Sequence, residues 1–388
     1  MRADLVERVR RRLAARGADV SAAAVADAVR AETGGVAGHG DVLAALRQLR
    51  QEFVGLGPLE ELVTDDAITD VLVTGPDQVW VDGAGGLRRT EVRFADESAV
   101  RRLAQRLALA AGRRLDDAQP FVDGWLPGVG PHGRVRLHAV LPPVAADGTC
   151  IALRVLRPAT FDLEQLRRLG AFDARLVKVL QAMVAARLAF LVTGGTGAGK
   201  STLLGALLAA VPGGERIVCV EDAQELAPRH PQFVRLVSRP PNIEGAGEVT
   251  LHELVRQALR MRPDRLVVGE IRGAEVVPML NALNTGHDGG AATLHANAPA
   301  EVPPRLEGLA ALGGLSREGL HSQLAAAVQV VLHMRRKTGG VRALTEIGVL
   351  HRDSALVRVI PVWRCGRWTE ERRLLTALFQ ARGVRLPW

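Results

Sequence analysis

The residues best equipped for chemistry lie in the stretch 189–204, AFLVTGGTGAGKSTLL. Three apolar residues, Phe190, Leu191 and Val192, give way to glycines, a lysine and two hydroxyls before Leu203 and Leu204 resume the apolar pattern. This reads as a buried strand, a tight loop and a helix start. Gly194, Gly199, Lys200 and Ser201 fit the G-x-x-x-x-G-K-[ST] spacing of a phosphate-binding loop. Glycine allows positive φ and a close approach of backbone to ligand. Amides at a helix N-terminus then form a nest for an anion. The expected cradle is Gly194, Gly195, Thr196, Gly197, Ala198, Gly199, Lys200, Ser201 and Thr202. Lys200 is placed to reach the β- and γ-phosphates, and Ser201 to share Mg²⁺ with phosphate oxygens.

Chemistry beyond binding needs groups at the same edge of a sheet. Downstream of residue 188, apolar runs recur at 190–192, 217–220, 266–268 and 291–294, with helical stretches between them. That alternation predicts a parallel sheet covered on both faces, with ligands at the carboxyl ends of its strands. Polar residues stand at those ends: Glu221 and Asp222, then Gly269, Glu270 and Arg272, then His295 and Asn297. Phosphoryl transfer needs positioning and charge stabilisation more than covalent groups. Glu270 is the expected water-orienting carboxylate, near the metal. Glu221 and Asp222 are expected to hold a Mg²⁺-bound water or to act as the second acid. His287 or His295 is expected to sense the γ-phosphate, for which a neutral imidazole suffices. No N-K-x-D stretch follows the loop, so guanine specificity has no support. The strand and acidic pair between the loop and Glu270 point to a RecA-like motor core.

The remaining chain must position these groups. Its 388 residues suggest two or three domains. A hydrophobic content of 47% with 24% charged is ordinary for a globular protein. Only 3 of the 50 basic residues are Lys, a skew that reflects coding composition more than function. The net charge of +8 still suits an anionic surface. Cys150, Cys219 and Cys365 have no paired spacing, which argues against a disulfide framework and a zinc site and fits a reducing cytosol. The charged N-terminus does not read as a signal peptide. No apolar run approaches the roughly 18 residues of a membrane span.

Residues 1–40 read as a helical extension and linker, with Leu5, Val9 and Leu13 on one face among arginines. Residues 41–160 read as an α+β domain, with a helix at 42–53, strands at 68–73 and 78–81, a helix at 99–111 and strands at 134–141 and 150–156. Residues 161–350 carry the motor pattern, opening with a mostly helical stretch at 163–186. Residues 351–388 form a C-terminal extension with a helix near 370–379. The fold class is therefore α/β: a RecA-like P-loop motor domain with a parallel sheet, preceded by an α+β N-terminal domain and a short helical N-terminal extension.

Four stretches carry a family resemblance. GGTGAGKST at 194–202, VEDAQEL at 220–226, RMRPDRLVVGEIRG at 260–273 and NTGHDGGAATLHAN at 284–297 resemble the Walker A, Asp-box, Walker B and His-box motifs of the type II/IV secretion ATPase superfamily. RPPNIEGAGEVTLHELVRQALRMRPDR at 239–265 and GLGPLEELVTDDAITDVLVTGPDQVWV at 55–81 are similar to the tight-adherence (Flp) pilus-assembly and conjugal-transfer-type branch.

The resemblance implies ATP and Mg²⁺ as ligands and a homohexameric ring with nucleotide between the front domain and the motor domain. It implies phosphate contacts from front-domain arginines, matched here by Arg136 and Arg154, and family arginines at Arg256, Arg260 and Arg272. It implies a cytoplasmic location, peripheral at the inner face of the cytoplasmic membrane, with polytopic platform proteins of a pilus or secretion system as partners. The leading expectation is an ATP hydrolase driving pilus assembly or protein secretion. The alternative is a conjugation or DNA-transport motor, although the chain shows no aromatic stacking platform or nucleic-acid module. A third reading, an ATP-gated scaffold, sits poorly with Lys200, Glu270 and His295 all in place.

Overall fold

The structure, a computed structural model, describes residues 8, 12, 22–32, 55–83, 85–129, 134–156, 160–242, 244–337 and 339–387. The chain divides into two compact units, Met1–Arg157 and Pro158–Trp388. Of the expected N-terminal extension, Ala22–Glu32 is helical. The rest of that helix, the linker at 33–40 and the helix at 42–53 lie outside the described residues, apart from Arg8 and Arg12.

The N-terminal unit is built on six strands: β1 (Ile68–Gly75), β2 (Gln78–Gly83), β3 (Arg88–Arg89), β4 (Phe121–Pro127), β5 (Arg134–Val140) and β6 (Cys150–Val155). They lie in the order β3-β2-β1-β6-β5-β4 and every neighbouring pair is antiparallel. One face carries Val71, Val73, Val135, Leu137, Ile151 and Leu153 and packs in one core with Val100, Leu103 and Leu107 of the helix Glu97–Ala110. The helix starts because Asp96 caps it, its side chain accepting the Ala99 N–H at 2.7 Å. The alternation leaves Asp70, Trp125, Arg136 and Arg154 on the opposite face, as an antiparallel sheet with one covered side requires.

The C-terminal unit holds nine strands: β7 (Phe190–Gly194), β8 (Ile217–Glu221), β9 (Phe233–Val237), β10 (Arg265–Ile271), β11 (Ala291–His295), β12 (Val330–Arg336), β13 (Arg342–Asp353), β14 (Leu356–Arg364) and β15 (Arg367–Trp368). Their order is β15-β14-β13-β12-β7-β11-β10-β8-β9. The six strands from β12 to β9 are parallel, and β13, β14 and β15 continue the sheet antiparallel. Two apolar clusters, one containing Val192, Leu203 and Leu207 and one containing Leu191, Val268 and Leu280, cover the sheet as the continuous apolar runs predict. The fold is a RecA-like α/β motor unit preceded by an α+β unit.

Two boundaries change. The expected domain limit near 160 falls at 157/158. Residues 351–387, expected as a C-terminal extension, continue the C-terminal unit: they form the end of β13 and all of β14 and β15, and the helix Arg372–Ala381 buries Leu375 and Phe379 in its core.

Candidate active site

The phosphate loop joins β7 to the helix Lys200–Ala209 at the carboxyl edge of the sheet. Gly199 sits just before that helix with φ of 92°, a conformation that favours glycine. Gly194 is needed for room, because a Cβ there would collide with the Met334 carbonyl of β12. Gly195, Thr196, Gly197, Ala198 and Thr202 complete the loop and the first helical turn.

Lys200 is 8% exposed. Its Nζ donates to the Gly195 carbonyl at 3.1 Å and lies 3.3 and 3.2 Å from Nδ1 and Nε2 of His295. Strand register makes this contact: Gly194 stands directly opposite His295 in the parallel pair β7–β11. Burial is the main cause that lowers the Lys200 pKa. Among the described residues Lys200 has no carboxylate within ion-pair distance, so its charge faces a carbonyl and an imidazole.

Glu270 lies near the end of β10. His295 Nε2 stands 2.6 Å from its Oε1 and Arg272 Nε 2.6 Å from its Oε2. The His295 pKa is lowered by burial first and by Lys200 second. Its Nε2 faces Glu270, and Lys200 Nζ lies beside both ring nitrogens. Thr293 fixes the strand end by donating to the Gly269 carbonyl at 2.6 Å. Lys200, His295, Glu270 and Arg272 thus form one chain of contacts, with Asp222 Oδ2 3.8 Å beyond Arg272.

The Asp-box stretch is arranged differently from the sequence expectation. Glu221 is 2% exposed and works on backbone. Its Oε1 accepts the N–H groups of Glu225 and Leu226 at 3.0 and 2.9 Å, and its Oε2 accepts from Arg235 Nε at 3.1 Å. Burial pushes its pKa up to about 7. As the last residue of β8, a strand buried throughout, Glu221 faces these backbone groups and Arg235, not Ser201. Asp222 accepts from Ser238 Oγ at 3.0 Å and is not the carboxylate on Ser201. That partner is Glu225, whose Oε2 accepts from Ser201 Oγ at 2.7 Å. Glu225 is an unassigned member of the VEDAQEL stretch, brought round by the turn that Glu221 holds.

His287 does not join the site. It precedes β11, and its Nδ1 lies 3.1 Å from the Ala282 carbonyl. The start of a parallel strand lies at the opposite edge from its end, about 13 Å away for five residues, so of the two histidines only His295 reaches the loop. Arg256 and Arg260 sit in and just after the helix Leu251–Ala258, with exposed side chains. In the N-terminal unit, Arg136 and Arg154 are direct cross-strand neighbours on β5 and β6. Arg136 forms a two-pronged pair with Asp123 at 2.8 and 2.6 Å, and Arg154 lies 3.8 Å from Asp70.

Hydroxyl and carboxylate oxygens suit a hard cation such as Mg²⁺, so Ser201 with Glu225 beside it fits that ion at the foot of an anion nest. Residues 52–357 match the type II/IV secretion system protein family, and the chain belongs to that family. A Mycobacterium tuberculosis protein with a provisional conjugal-transfer name is 65% identical over 331 residues, which covers 85% of this chain and 94% of that one. The type IV secretion system protein PtlH of Bordetella pertussis is 32% identical over 280 residues, covering 64% of this chain and 78% of that one. The pilus retraction motor PilT, solved with ADP, shares the fold with a TM-score of 0.54 at 22% identity, covering 84% of this chain and 88% of that one.

Proposed function

We propose that the chain is an ATP hydrolase working as a homo-oligomeric, hexameric motor of a pilus or secretion apparatus. The reading places it in the cytoplasm, at the inner face of the membrane, acting on polytopic platform proteins; its branch is the tight-adherence and conjugal-transfer one. The observation that carries it is the contact chain from the phosphate loop through Lys200 and His295 to Glu270.

In this reading Lys200 exchanges the Gly195 carbonyl for phosphate oxygens. Mg²⁺, held by Ser201 with Glu225 beside it, supplies charge neutralisation to the β- and γ-phosphate oxygens when bound. Glu270 orients the attacking water once Arg272 turns from it towards Asp222. His295, in contact with both Glu270 and Lys200, registers whether Lys200 is occupied. Arg136 and Arg154 are the proposed phosphate contacts of the N-terminal unit.

Glu270→Gln should bind ATP as the wild type does and turn it over at least about 100-fold more slowly. Wild-type turnover by that variant would overturn the water-orienting role. A fully active monomer in light scattering would remove the oligomeric motor. The conjugal-transfer name of the 65% identical relative keeps a DNA-transport motor as the second reading. Turnover stimulated by DNA with a steep salt dependence would select it.

A further inference from the structure

We propose that Arg342, the first residue of β13, is a positioning residue of the phosphate loop that holds one loop carbonyl out of the anion nest. The inference rests on the nucleotide-site reading and adds a residue that no Walker pattern contains.

The observations are geometric. The hairpin of β12 and β13 pairs Arg336 with Arg342 and runs beside β7, the strand that feeds the loop. Arg342 Nε donates to the Gly197 carbonyl at 3.0 Å. Its stem lies along Gly199: Arg342 Cδ and Cβ come within 3.2 and 3.4 Å of the place a Cβ would take there. Met334 of β12 closes the same side, its Cε 3.6 Å from that point and its carbonyl against Gly194. The hairpin therefore touches the loop at both ends and in the middle.

The physical need is specific. An anion nest works when N–H groups point inward and carbonyls outward. Gly197 has φ of 70° and no Cβ, so rotation of its peptide plane is cheap. A carbonyl turned inward would set its negative end against the phosphates. Lys200 cannot prevent this, because it holds the Gly195 carbonyl and must leave it to bind phosphate. Arg342 approaches from the outside and keeps its hold whether or not phosphate is present. Its cation also adds positive potential at the rim of the nest.

The test is binding without turnover, using a fluorescent ADP analogue and inorganic pyrophosphate as its competitor. Arg342→Met keeps the stem on Gly199 and removes the donor; Arg342→Lys restores a cation with one donor. The expected result is a loss of about tenfold for ADP and pyrophosphate alike in Arg342→Met, partly recovered in Arg342→Lys. Unchanged affinity for both in a folded Arg342→Met, with binding abolished in Lys200→Ala, would overturn the inference and leave the nucleotide site standing. A loss confined to ADP would also overturn it, since the arginine would then serve the base or sugar. Wild-type binding by Lys200→Ala would sink the nucleotide-site reading itself.

Discussion

The two edges of the motor sheet carry similar residues and use them in opposite ways. At the amino edge, Arg265 is 1% exposed, pairs with Glu215 at 2.6 Å and donates to the Val184 carbonyl at 2.9 Å. Asp264 accepts the Arg216 N–H at 2.7 Å, and Arg382 pairs with Asp288 at 2.8 Å. Those contacts join charge to charge or charge to backbone. At the carboxyl edge, Lys200 rests on a carbonyl and an imidazole, and Arg272 stands between Glu270 and Asp222. These contacts can be exchanged for a ligand. A charged cluster marks a site when its charges are held by groups that can let go.

The contrast can be broken at either edge. Arg265→Ala leaves the largely buried Glu215 with only the longer contact to Arg187 at 3.8 Å, and should cost about 3–5 kcal/mol of stability in urea unfolding. Any variant that folds should bind ADP normally; weakened binding by folded protein would show that the edges are coupled.

Glu221 gives a pH test. Its folded pKa of about 7 lies above the ordinary glutamate value of 4.5, so between those values the folded state holds the extra proton. Its contribution is full below pH 4.5 and is lost as pH rises through about 7. Relative to Glu221→Gln, the wild type should lose on the order of 3 kcal/mol at most between pH 5 and 7.5. A constant difference between the two would contradict the buried placement. Lys200→Ala should weaken ADP binding about 100-fold or more, roughly 2.7 kcal/mol, while leaving the melting temperature at or above that of the wild type. The smallest effect belongs to Asp288→Asn, which removes a half-exposed pair and should cost under about 1 kcal/mol. A larger loss would mean that Arg382 anchors the C-terminal helix more tightly than surface pairs normally do.

Strands β7, β8, β10 and β11 were legible because each is a continuous apolar run, and the loop because only glycine fits its turns; β12, whose run is broken by His333, was not. The strand β9 was not, since its five residues are all half-buried and Arg235 interrupts the pattern. The antiparallel strands β13 to β15 alternate too irregularly to separate from an extension. Within the site, Lys200 and Ser201 were readable from the loop spacing, Glu270 and His295 from their places at strand ends. The division of labour between Glu221, Asp222 and Glu225 was not. Neighbouring residues at a strand end face opposite ways, and the turn that delivers Glu225 is made by backbone hydrogen bonds with no periodic signature. His287 and His295 flank the same strand, and only the strand's direction tells them apart. Arg342 lies 145 positions from its partner Gly197, a distance that local spacing cannot bridge.

The family match ends at residue 357, inside β14, whereas the sheet runs on to Trp368 and the helix at Arg372–Ala381 seals its core. A shortened protein cut at the limit of homology would strip β13 of its neighbour and bare the pocket that Leu375 and Phe379 fill. An open edge of that kind invites pairing between molecules. For expression work the folding unit sets the safe end point, about 24 residues past the end of the family match at residue 357.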